Sequence, residues 1–325
     1  MKICIIKLGA LGDVVRTTPI LQAIKEKFPD SEITWITKFN AKEILTNNPN
    51  INHISIIPCE IKDSFDILYN LDIEPEATQL ASKINSAKKL GYFDNEGFPA
   101  SFNLSAEYYL NTVFDDELKK TNRKTYQEMI FQTCELEYKK QKIRIFLSED
   151  SKSFANNFFK ENCLEREKII GINIGSSKRW PSKSWDLGKI KEFIEQISFK
   201  DYKILILGGK EENEKFLELE KFANQKNLKI YRPDTQKTLK NFFAIISKCD
   251  QIISSDTLAL HVALAFGKRT TALFFCNTPH EIEGYGNLTK LISPLFESFF
   301  PEKMDQYSEQ LVNSISVNQV LETLK

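Results

Sequence analysis

Residues Lys2 to Pro19 read KICIIKLGALGDVVRTTP, which predicts a strand, a glycine turn and a helix in direct succession. The apolar run Ile3 to Ile6 favours a buried strand, and apolar residues at helical spacing begin at Val14. α/β proteins use this layout to bring backbone amides up to a ligand. Asp13 lies where the turn becomes the helix. There a carboxylate can cap the helix, which is worth ~1 kcal/mol, or take a proton from a bound hydroxyl.

The length of 325 residues exceeds one typical core of ~150 residues, so two domains are expected. Alternation of strand-like and helix-like segments starts at Lys2 and starts again at Lys168 (KIIGINI), which predicts an α/β chain with two parallel, doubly wound sheets. We place the domains at residues 1–155 and 156–325, with the last helix able to pack back on the N-terminal domain. Residues 94–116 are predicted to be irregular, residues 142–147 to be β-rich, and Pro19 to kink or begin a helix.

Charge and cysteine content exclude several classes of protein. Lys+Arg and Asp+Glu number 44 each, and this balance argues against a broad nucleic-acid-binding surface. The six cysteines form no Cys-x-x-Cys pair and no secretory segment is recognisable, so a cytoplasmic protein is predicted. The three histidines, His53, His261 and His280, have no partner at ligand spacing, and we predict no metal site. The G-x-x-G-D spacing of the opening turn differs from that of dinucleotide folds, so no nicotinamide cofactor is expected in this half.

Two polar motifs follow the first predicted strands of the second half. Ser176 to Arg179 (SSKR) offers two hydroxyls and two cations that suit a phosphate or diphosphate, although a solvated basic loop has the same composition. Gly208 and Gly209 permit close backbone approach to a ligand. Glu212, just beyond them, can hold ribose hydroxyls or simply begin a helix.

The densest motif is Ser254 to His261, which reads SSDTLALH. Asp256 can accept hydrogen bonds from sugar hydroxyls, and Thr257 with the helix start can receive an anion. His261 lies between apolar neighbours, a setting more typical of a core residue than of a ligand.

In this order the motifs resemble glycosyltransferase family 9, the heptosyltransferases of lipopolysaccharide core assembly. Four family signatures match: G-x-L-G-D followed by T-T-P, K-x-W-P, G-G-x-x-E, and D-[ST]-G-x-x-H-x-A-x-A-x-G. The matching residues, in chain order, are Gly9, Leu11, Gly12, Asp13, Thr17, Thr18, Pro19, Lys178, Trp180, Pro181, Gly208, Gly209, Glu212, Asp256, Thr257, His261, Ala263, Ala265 and Gly267. One position departs from the pattern. Leu258 stands where the family usually has glycine. The leucine side chain would narrow or shift the approach of donor phosphates to the backbone.

The resemblance implies a GT-B architecture, in which two Rossmann-like domains face each other across a cleft, and an inverting, metal-independent transfer. The donor nucleotide-sugar would bind the C-terminal domain and the acceptor the N-terminal one. Carried over by position, Asp13 would be the catalytic base, in an acceptor site with Gly9 and Gly12, and Lys178 would neutralise the departing diphosphate. The donor site would comprise Ser176, Ser177, Lys178, Gly208, Gly209, Glu212, Asp256, Thr257, Leu258 and His261.

We therefore predict an enzyme that transfers a heptose from ADP-heptose to a lipopolysaccharide-core or related cell-envelope glycan, with no cofactor beyond that co-substrate. A lipid-linked acceptor would draw this monomeric, cytoplasmic enzyme to the inner face of the cytoplasmic membrane as a peripheral protein. Two alternatives stay open. One is a GT-B relative acting on another nucleotide-sugar as a transferase, epimerase or hydrolase, and the other is a non-catalytic sugar-nucleotide-binding protein.

Overall fold

The computed structural model describes residues 1–177, 179–198, 200–234 and 238–324. Its contacts divide the chain into two compact units. Unit 1 comprises Met1–Phe146 and His280–Glu283, and unit 2 comprises Leu147–Pro279 and Gly284–Lys325. The short segment His280–Glu283 therefore belongs to unit 1, although most of unit 2 precedes it in the sequence.

The sheet of unit 1 is six-stranded, with strands β1 Lys2–Ile6, β2 Glu32–Thr37, β3 His53–Ile56, β4 Phe65–Asn70, β5 Ser86–Asn95 and β6 Phe98–Ser101. Their order in the sheet is β3-β2-β1-β4-β5-β6. Strands β1 to β5 are parallel, and β6 is antiparallel to β5. Ile3 to Ile6 are fully buried, as expected for a central parallel strand covered on both faces.

The helices of unit 1 are α1 Leu11–Thr17, α2 Ile20–Lys27, α3 Lys42–Leu45, α4 Pro75–Lys83, α5 Glu107–Phe114, α6 Asp116–Thr121 and α7 Tyr126–Thr133. The helical stretch after the glycine turn is divided at Pro19, as predicted, with α2 starting directly after this residue. Residues 94–116 were wrongly predicted to be irregular, since they hold β6 and α5. Residues 142–147, which the structure describes throughout, form no strand, so the predicted β-rich run is wrong.

The sheet of unit 2 is six-stranded and parallel throughout, with strands β7 Lys168–Asn173, β8 Tyr202–Leu207, β9 Ile230–Tyr231, β10 Gln251–Ser255, β11 Arg269–Phe274 and β12 Leu288–Ile292. Their order in the sheet is β12-β11-β10-β7-β8-β9. The helices of unit 2 are α8 Glu149–Glu161, α9 Leu187–Ile197, α10 Asn213–Gln225, α11 Leu239–Lys248, α12 Leu258–Ala265, α13 Glu309–Asn313 and α14 Val317–Glu322. None of the helices in the described ranges is long and apolar enough to span a membrane.

The two units divide between Phe146 and Leu147, whereas the predicted boundary after residue 155 falls inside α8. Helix α8 belongs to unit 2 because it packs against α11. The last helix, α14, packs against α9, and its Val317 and Val320 join the hydrophobic core of unit 2. The structure therefore gives both helices to the C-terminal unit.

Both sheets reverse their winding at the first strand of the unit. Counted from β1 or from β7, the strand order is 3-2-1-4-5-6 in each, which is the doubly wound, Rossmann-like order. Connections leave β1 and β4 towards opposite edges of the sheet, and the same holds for β7 and β10. Ligands of open α/β sheets bind in the crevice at the C-terminal ends of such a strand pair. The glycine turn follows β1, Ser176 follows β7 and Asp256 follows β10, so these motifs lie at the two switch points.

Gly91 of β5 sits against the neighbouring strand β4, and it supplies a test of the sheet of unit 1. Its φ is +94°, and a Cβ added there would lie 1.8 Å from the carbonyl oxygen of Asn70. We expect Gly91→Ala to destabilise unit 1, because β5 would have to move away from β4. Gly97→Ala is the matched control, since Gly97 has a φ of +90° but no atom within 4 Å of an added Cβ. Gly97→Ala should lower the free energy of unfolding by only about 1–2 kcal/mol, the cost of placing alanine in the left-handed backbone conformation.

Urea unfolding of the two variants measures this difference. A clearly larger loss of stability is expected for Gly91→Ala. Equal losses would show that the sheet accommodates the added methyl group.

Candidate active site

The glycine turn of unit 1 is fastened to the neighbouring strand end by Asp72. This residue follows β4, the strand beside β1 at the switch point. Its Oδ2 accepts the backbone N–H groups of Leu8 and Gly9 at 3.0 and 2.6 Å. A Cβ added at Gly9 would lie 3.0 Å from the same oxygen, so glycine permits this close approach. The path of the turn is therefore set by a side chain from another strand.

Lys7 is a buried cation beneath the turn. Its side chain and that of Asp72 are each 4% exposed, and Nζ lies 3.6 Å from Asp72 Oδ2. Nζ also donates to the carbonyl oxygen of Leu71 at 2.9 Å. Burial opposes the charged form, but the carboxylates of Asp72 and Asp13 outweigh it and raise the pKa of Lys7 above its ordinary value. Lys7 is thus charged, and its charge attracts the candidate base.

Asp13 lies in the first turn of α1 but is not the N-cap. The N-cap residue is Ala10, so the capping interpretation of Asp13 is wrong. Asp13 Oδ1 accepts a hydrogen bond from Arg16 Nε at 3.0 Å, and Arg16 Nη2 lies 2.9 Å from the same oxygen in an ion pair. A guanidinium at this distance favours the ionised carboxylate, which is the form that can accept a proton. The Asp13 side chain is 31% exposed, so a substrate hydroxyl can reach it.

Arg16 is in turn held by an aromatic ring and by a residue from the distant segment of unit 1. Its guanidinium stacks on Tyr126, 3.8 Å from the ring centroid. Its Nη1 lies 3.9 Å from Oε2 of Glu281. The carbonyl oxygen of Glu281 also accepts the backbone N–H of Tyr126, the first residue of α7, at 2.9 Å. Arg16 is therefore oriented before any substrate binds.

The phenol of Tyr126 donates a hydrogen bond to the helix that carries Asp13. The Thr17 hydroxyl donates to the carbonyl oxygen of Asp13 at 2.7 Å, and it has only one proton to give. The 2.7 Å contact between the hydroxyl oxygens of Thr17 and Tyr126 is therefore donated by the tyrosine. Burial, followed by the nearby Asp13 carboxylate, raises the pKa of Tyr126, which agrees with a protonated phenol.

A polar network joins the ends of β7 and β10 in unit 2. Asn173, the last residue of β7, donates to Thr257 Oγ1 at 3.1 Å and to the carbonyl oxygen of Gly175 at 2.8 Å. Ser254 donates to the carbonyl oxygen of Ser255 at 2.8 Å, so Thr257 is the donor in its 2.9 Å contact with Ser254. The Thr257 hydroxyl is therefore engaged within the protein. Thr257 is the N-cap of α12 without a side-chain capping bond, so its predicted role at the phosphates rests on the backbone there.

Asp256 lies between a lysine and a histidine. Lys183 Nζ is 3.3 Å from Asp256 Oδ2, and His261 Nε2 is 3.5 Å from Asp256 Oδ1. His261 is buried with its side chain 5% exposed, whereas that of Asp256 is 17% exposed. The spacing of the motif thus brings Asp256 and His261 together, and the structure adds Lys183.

Glu212 turns back onto the glycines at the ends of β7 and β8. Its Oε2 accepts the backbone N–H of Gly209 at 2.8 Å. A Cβ added at Gly175 or at Gly208 would lie 3.1 Å from an atom of the Glu212 side chain. The glycines therefore make room for this side chain. A backbone approach by the donor at Gly208, and a ribose contact by Glu212, stay predictions.

The remaining predicted donor residues lie along the same edge of the sheet. Ser176 Oγ accepts from the Ser184 hydroxyl at 2.6 Å, and Ser177 Oγ accepts the backbone N–H two residues further on at 3.2 Å. Leu258 is the half-buried first residue of α12. Lys178, the predicted leaving-group cation, lies outside the described residues.

Across the described ranges, no three or more His, Cys, Asp or Glu side chains are arranged as a metal site. The metal independence expected from the sequence stays a prediction.

Comparison with known protein families decides the class of this chain. The family described as Glycosyltransferase family 9 (heptosyltransferase) matches residues 61–311, well over half of the chain. The chain belongs to glycosyltransferase family 9. The predicted family and the predicted class of enzyme are both confirmed, and the two doubly wound units form the GT-B fold.

One relative in sequence and two solved structures are similar to this family 9 glycosyltransferase. It is 24% identical over 288 residues to lipooligosaccharide heptosyltransferase 2 of Campylobacter jejuni. This alignment covers 84% of this chain and 81% of that protein. The glycosyl transferase family 9 structure from Veillonella parvula superposes with a TM-score of 0.78 at 20% identity, covering 99% of this chain and 95% of that one. The structure of the E. coli ADP-heptose lps heptosyltransferase II superposes with a TM-score of 0.70 at 18% identity. The superposition covers 100% of this chain and 97% of that one. At these identities the two structures show a shared fold.

Sequence reasoning missed three charged residues of this glycosyltransferase: Lys7, Asp72 and Lys183. Lys7 and Asp72 each come within two residues of the end of a buried strand, which is where a switch point collects polar groups. That position was the available signal. Lys183 follows the basic loop after β7, but a lysine on a loop is usually a solvated side chain, so no sequence signal separates it from its neighbours.

The anchoring role of Asp72 can be tested by stability. Asp72→Ala removes the acceptor of two backbone amides and leaves Lys7 buried without its carboxylate. We expect a loss of about 3–5 kcal/mol in the free energy of unfolding, because an uncompensated charge then stays buried. The double variant Lys7→Met/Asp72→Asn removes both charges, retains an acceptor oxygen and should recover much of this loss. Urea unfolding makes the comparison, and wild-type stability in Asp72→Ala would contradict the role of Asp72.

Proposed function

We propose that this glycosyltransferase transfers a heptose from ADP-heptose to a lipopolysaccharide-core or related cell-envelope glycan. The family match over residues 61–311 carries the proposal. The name of the Campylobacter relative supports the class of glycan, and the name of the E. coli structure supports ADP-heptose as donor. The roles below are assigned by position and chemistry.

Asp13 acts in this proposal as the general base. Its ionised carboxylate, oriented by Arg16, takes the proton of the acceptor hydroxyl as that oxygen attacks the anomeric carbon. The bond between the anomeric carbon and the diphosphate oxygen breaks, and its electron pair leaves with ADP. A single displacement of this kind inverts the configuration at the anomeric carbon. Gly9, in the turn before α1, and Gly12, in the first turn of α1, belong to the proposed acceptor site beside this carboxylate.

Unit 2 binds the donor in this proposal, at the adjacent ends of β8, β7 and β10. Asp256, braced by His261, accepts hydrogen bonds from the donor sugar, and Glu212 contacts the ribose. The diphosphate is received by the start of α12, next to Thr257 and Leu258. Ser176, Ser177 and Lys178 complete the phosphate side. Fixed cations and a helix N-terminus can stabilise a departing diphosphate without a metal ion, which is why we propose a metal-independent transfer.

The location of the enzyme follows from its acceptor. A lipid-linked core glycan is presented at the cytoplasmic side of the membrane where it is assembled, and the proposed enzyme acts there as a peripheral, monomeric protein. Co-sedimentation with vesicles that contain the acceptor, and sedimentation velocity of the free protein, test these two statements.

Asp13→Asn tests the base. We expect transfer to fall by roughly 10²–10⁴-fold, since general base catalysis contributes about that much, while donor binding stays unchanged. Asp116→Asn is a matched control, because Asp116 also lies in the first turn of a helix and pairs with a cation three residues on, Lys119 at 3.8 Å. The control should keep wild-type activity. Near-wild-type turnover by Asp13→Asn would remove Asp13 from the mechanism.

The donor is tested by thermal-shift titration with ADP-, UDP-, GDP- and CMP-sugars, followed by NMR of the glycosidic product. We expect stabilisation by ADP-heptose and an inverted anomeric configuration in the product. Stabilisation by a different nucleotide-sugar alone would contradict the donor, and retention of configuration would contradict the single displacement. No stabilisation by any of them would favour a non-catalytic protein.

A further inference from the structure

Lys183 reaches the switch point of unit 2 from the loop that follows β7. It ends a short 3₁₀ turn over Pro181–Lys183, and its Nζ lies 3.3 Å from Oδ2 of Asp256, which follows the adjacent strand β10. Its side chain is 14% exposed, so it is held by the protein yet open to solvent. Lys183 therefore presents a positive charge at the edge where unit 2 is proposed to bind its donor.

The charge of Lys183 also acts on Cys276, at the end of a third strand. Burial raises the pKa of Cys276, just beyond β11, to about 11, while the ammonium of Lys183 works in the opposite direction and Asp256 adds to the rise. Lys183 is thus close enough to interact with groups at the ends of β10 and β11, and its own loop starts at β7. These three strands are neighbours in the sheet.

We propose that Lys183 is a further donor-binding residue, whose ammonium binds the diphosphate of the nucleotide-sugar. This inference rests on the proposed function, in which unit 2 binds a nucleotide-diphosphate sugar. A lysine ammonium is a point charge suited to phosphate oxygens, and it has three N–H donors. Asp256 can occupy one donor and hold the side chain in place, and a phosphate oxygen can take another. Neither contact has to break for the other to form.

The charge balance of the reaction supports this assignment. A diphosphate gains negative charge as it leaves the sugar, so a cation already fixed beside it stabilises the transition state more than the ground state. The Lys183 side chain, 14% exposed, also suits exchange between solvent and a ligand, unlike the buried pair of Lys7 and Asp72. A purely structural ion pair with Asp256 is the competing role, and it predicts no dependence on the number of phosphates in the ligand.

Calorimetric titration of the full chain with adenosine, AMP and ADP separates the two roles. Lys183→Met should weaken ADP binding about tenfold or more, the usual effect of losing a hydrogen bond to a charged group, and should leave adenosine binding unchanged. Lys183→Gln, which keeps a polar side chain but has no charge, should behave like Lys183→Met. Lys183→Arg should stay within a few-fold of wild type. Lys189→Met is the matched control, since Lys189 lies in the same unit and pairs with Glu192 at 3.2 Å on the exposed face of α9.

Three results would overturn the assignment: wild-type ADP affinity in Lys183→Met, wild-type ADP affinity in Lys183→Gln, or an equal loss for adenosine and ADP. The wild-type titration keeps this outcome apart from that of the proposed function. If the wild-type chain binds uridine or guanosine diphosphate but not ADP, the donor proposal is wrong. The role of Lys183 is then tested by comparing how its variants bind that nucleoside and its diphosphate. If it binds no nucleoside diphosphate, both proposals are wrong.

Discussion

Parallel strands whose connections depart in opposite directions leave a crevice at their C-terminal ends, and each unit of this chain assembles its polar groups on one such pair. In unit 1 the pair is β1 and β4, and Asp72 from the end of β4 holds the turn that follows β1. In unit 2 the pair is β7 and β10, and Asp256 from the end of β10 holds Lys183 from the loop after β7. The same constraint therefore operates twice, since a carboxylate from one strand end fixes a group that follows its neighbour.

The two carboxylate–lysine pairs differ in burial, and this difference divides their roles. Lys7 and Asp72 are each 4% exposed, so removing either partner leaves the other as a buried charge without its ion-pair partner. Such a pair is suited to holding a backbone turn in one shape. Lys183 and Asp256 are 14% and 17% exposed, so solvent and ligands can compete for them. Solvent access makes the second pair suited to recognition, in which a charge must be available to an incoming anion.

The sequence predicted the parallel sheets and the motifs at their C-terminal ends because buried parallel strands are continuous apolar runs followed by glycine or polar residues. It failed where the signal was local and weak. The edge strand β6 contains Pro99, which an edge strand tolerates but which reads as a break. Helix α1 begins at Leu11, before the apolar spacing starts at Val14, so Asp13 became a first-turn residue and not the N-cap. The contacts of Asp72 and Lys183 depend on which strands are neighbours, and strand order is a property of the folded sheet that no local pattern specifies.

The segment His280–Glu283 gives unit 1 a dependence on the order of synthesis. Glu281 supplies the carbonyl oxygen that receives the first amide of α7, and its carboxylate lies near the guanidinium that orients Asp13. Residues 1–146 leave the ribosome long before this segment does. The surroundings of Asp13 are therefore completed only after β7 to β11 have been translated, and an N-terminal fragment that ends at Phe146 lacks a part of its own unit. Each unit has its own sheet, but unit 1 is complete only when a segment translated after most of unit 2 is present.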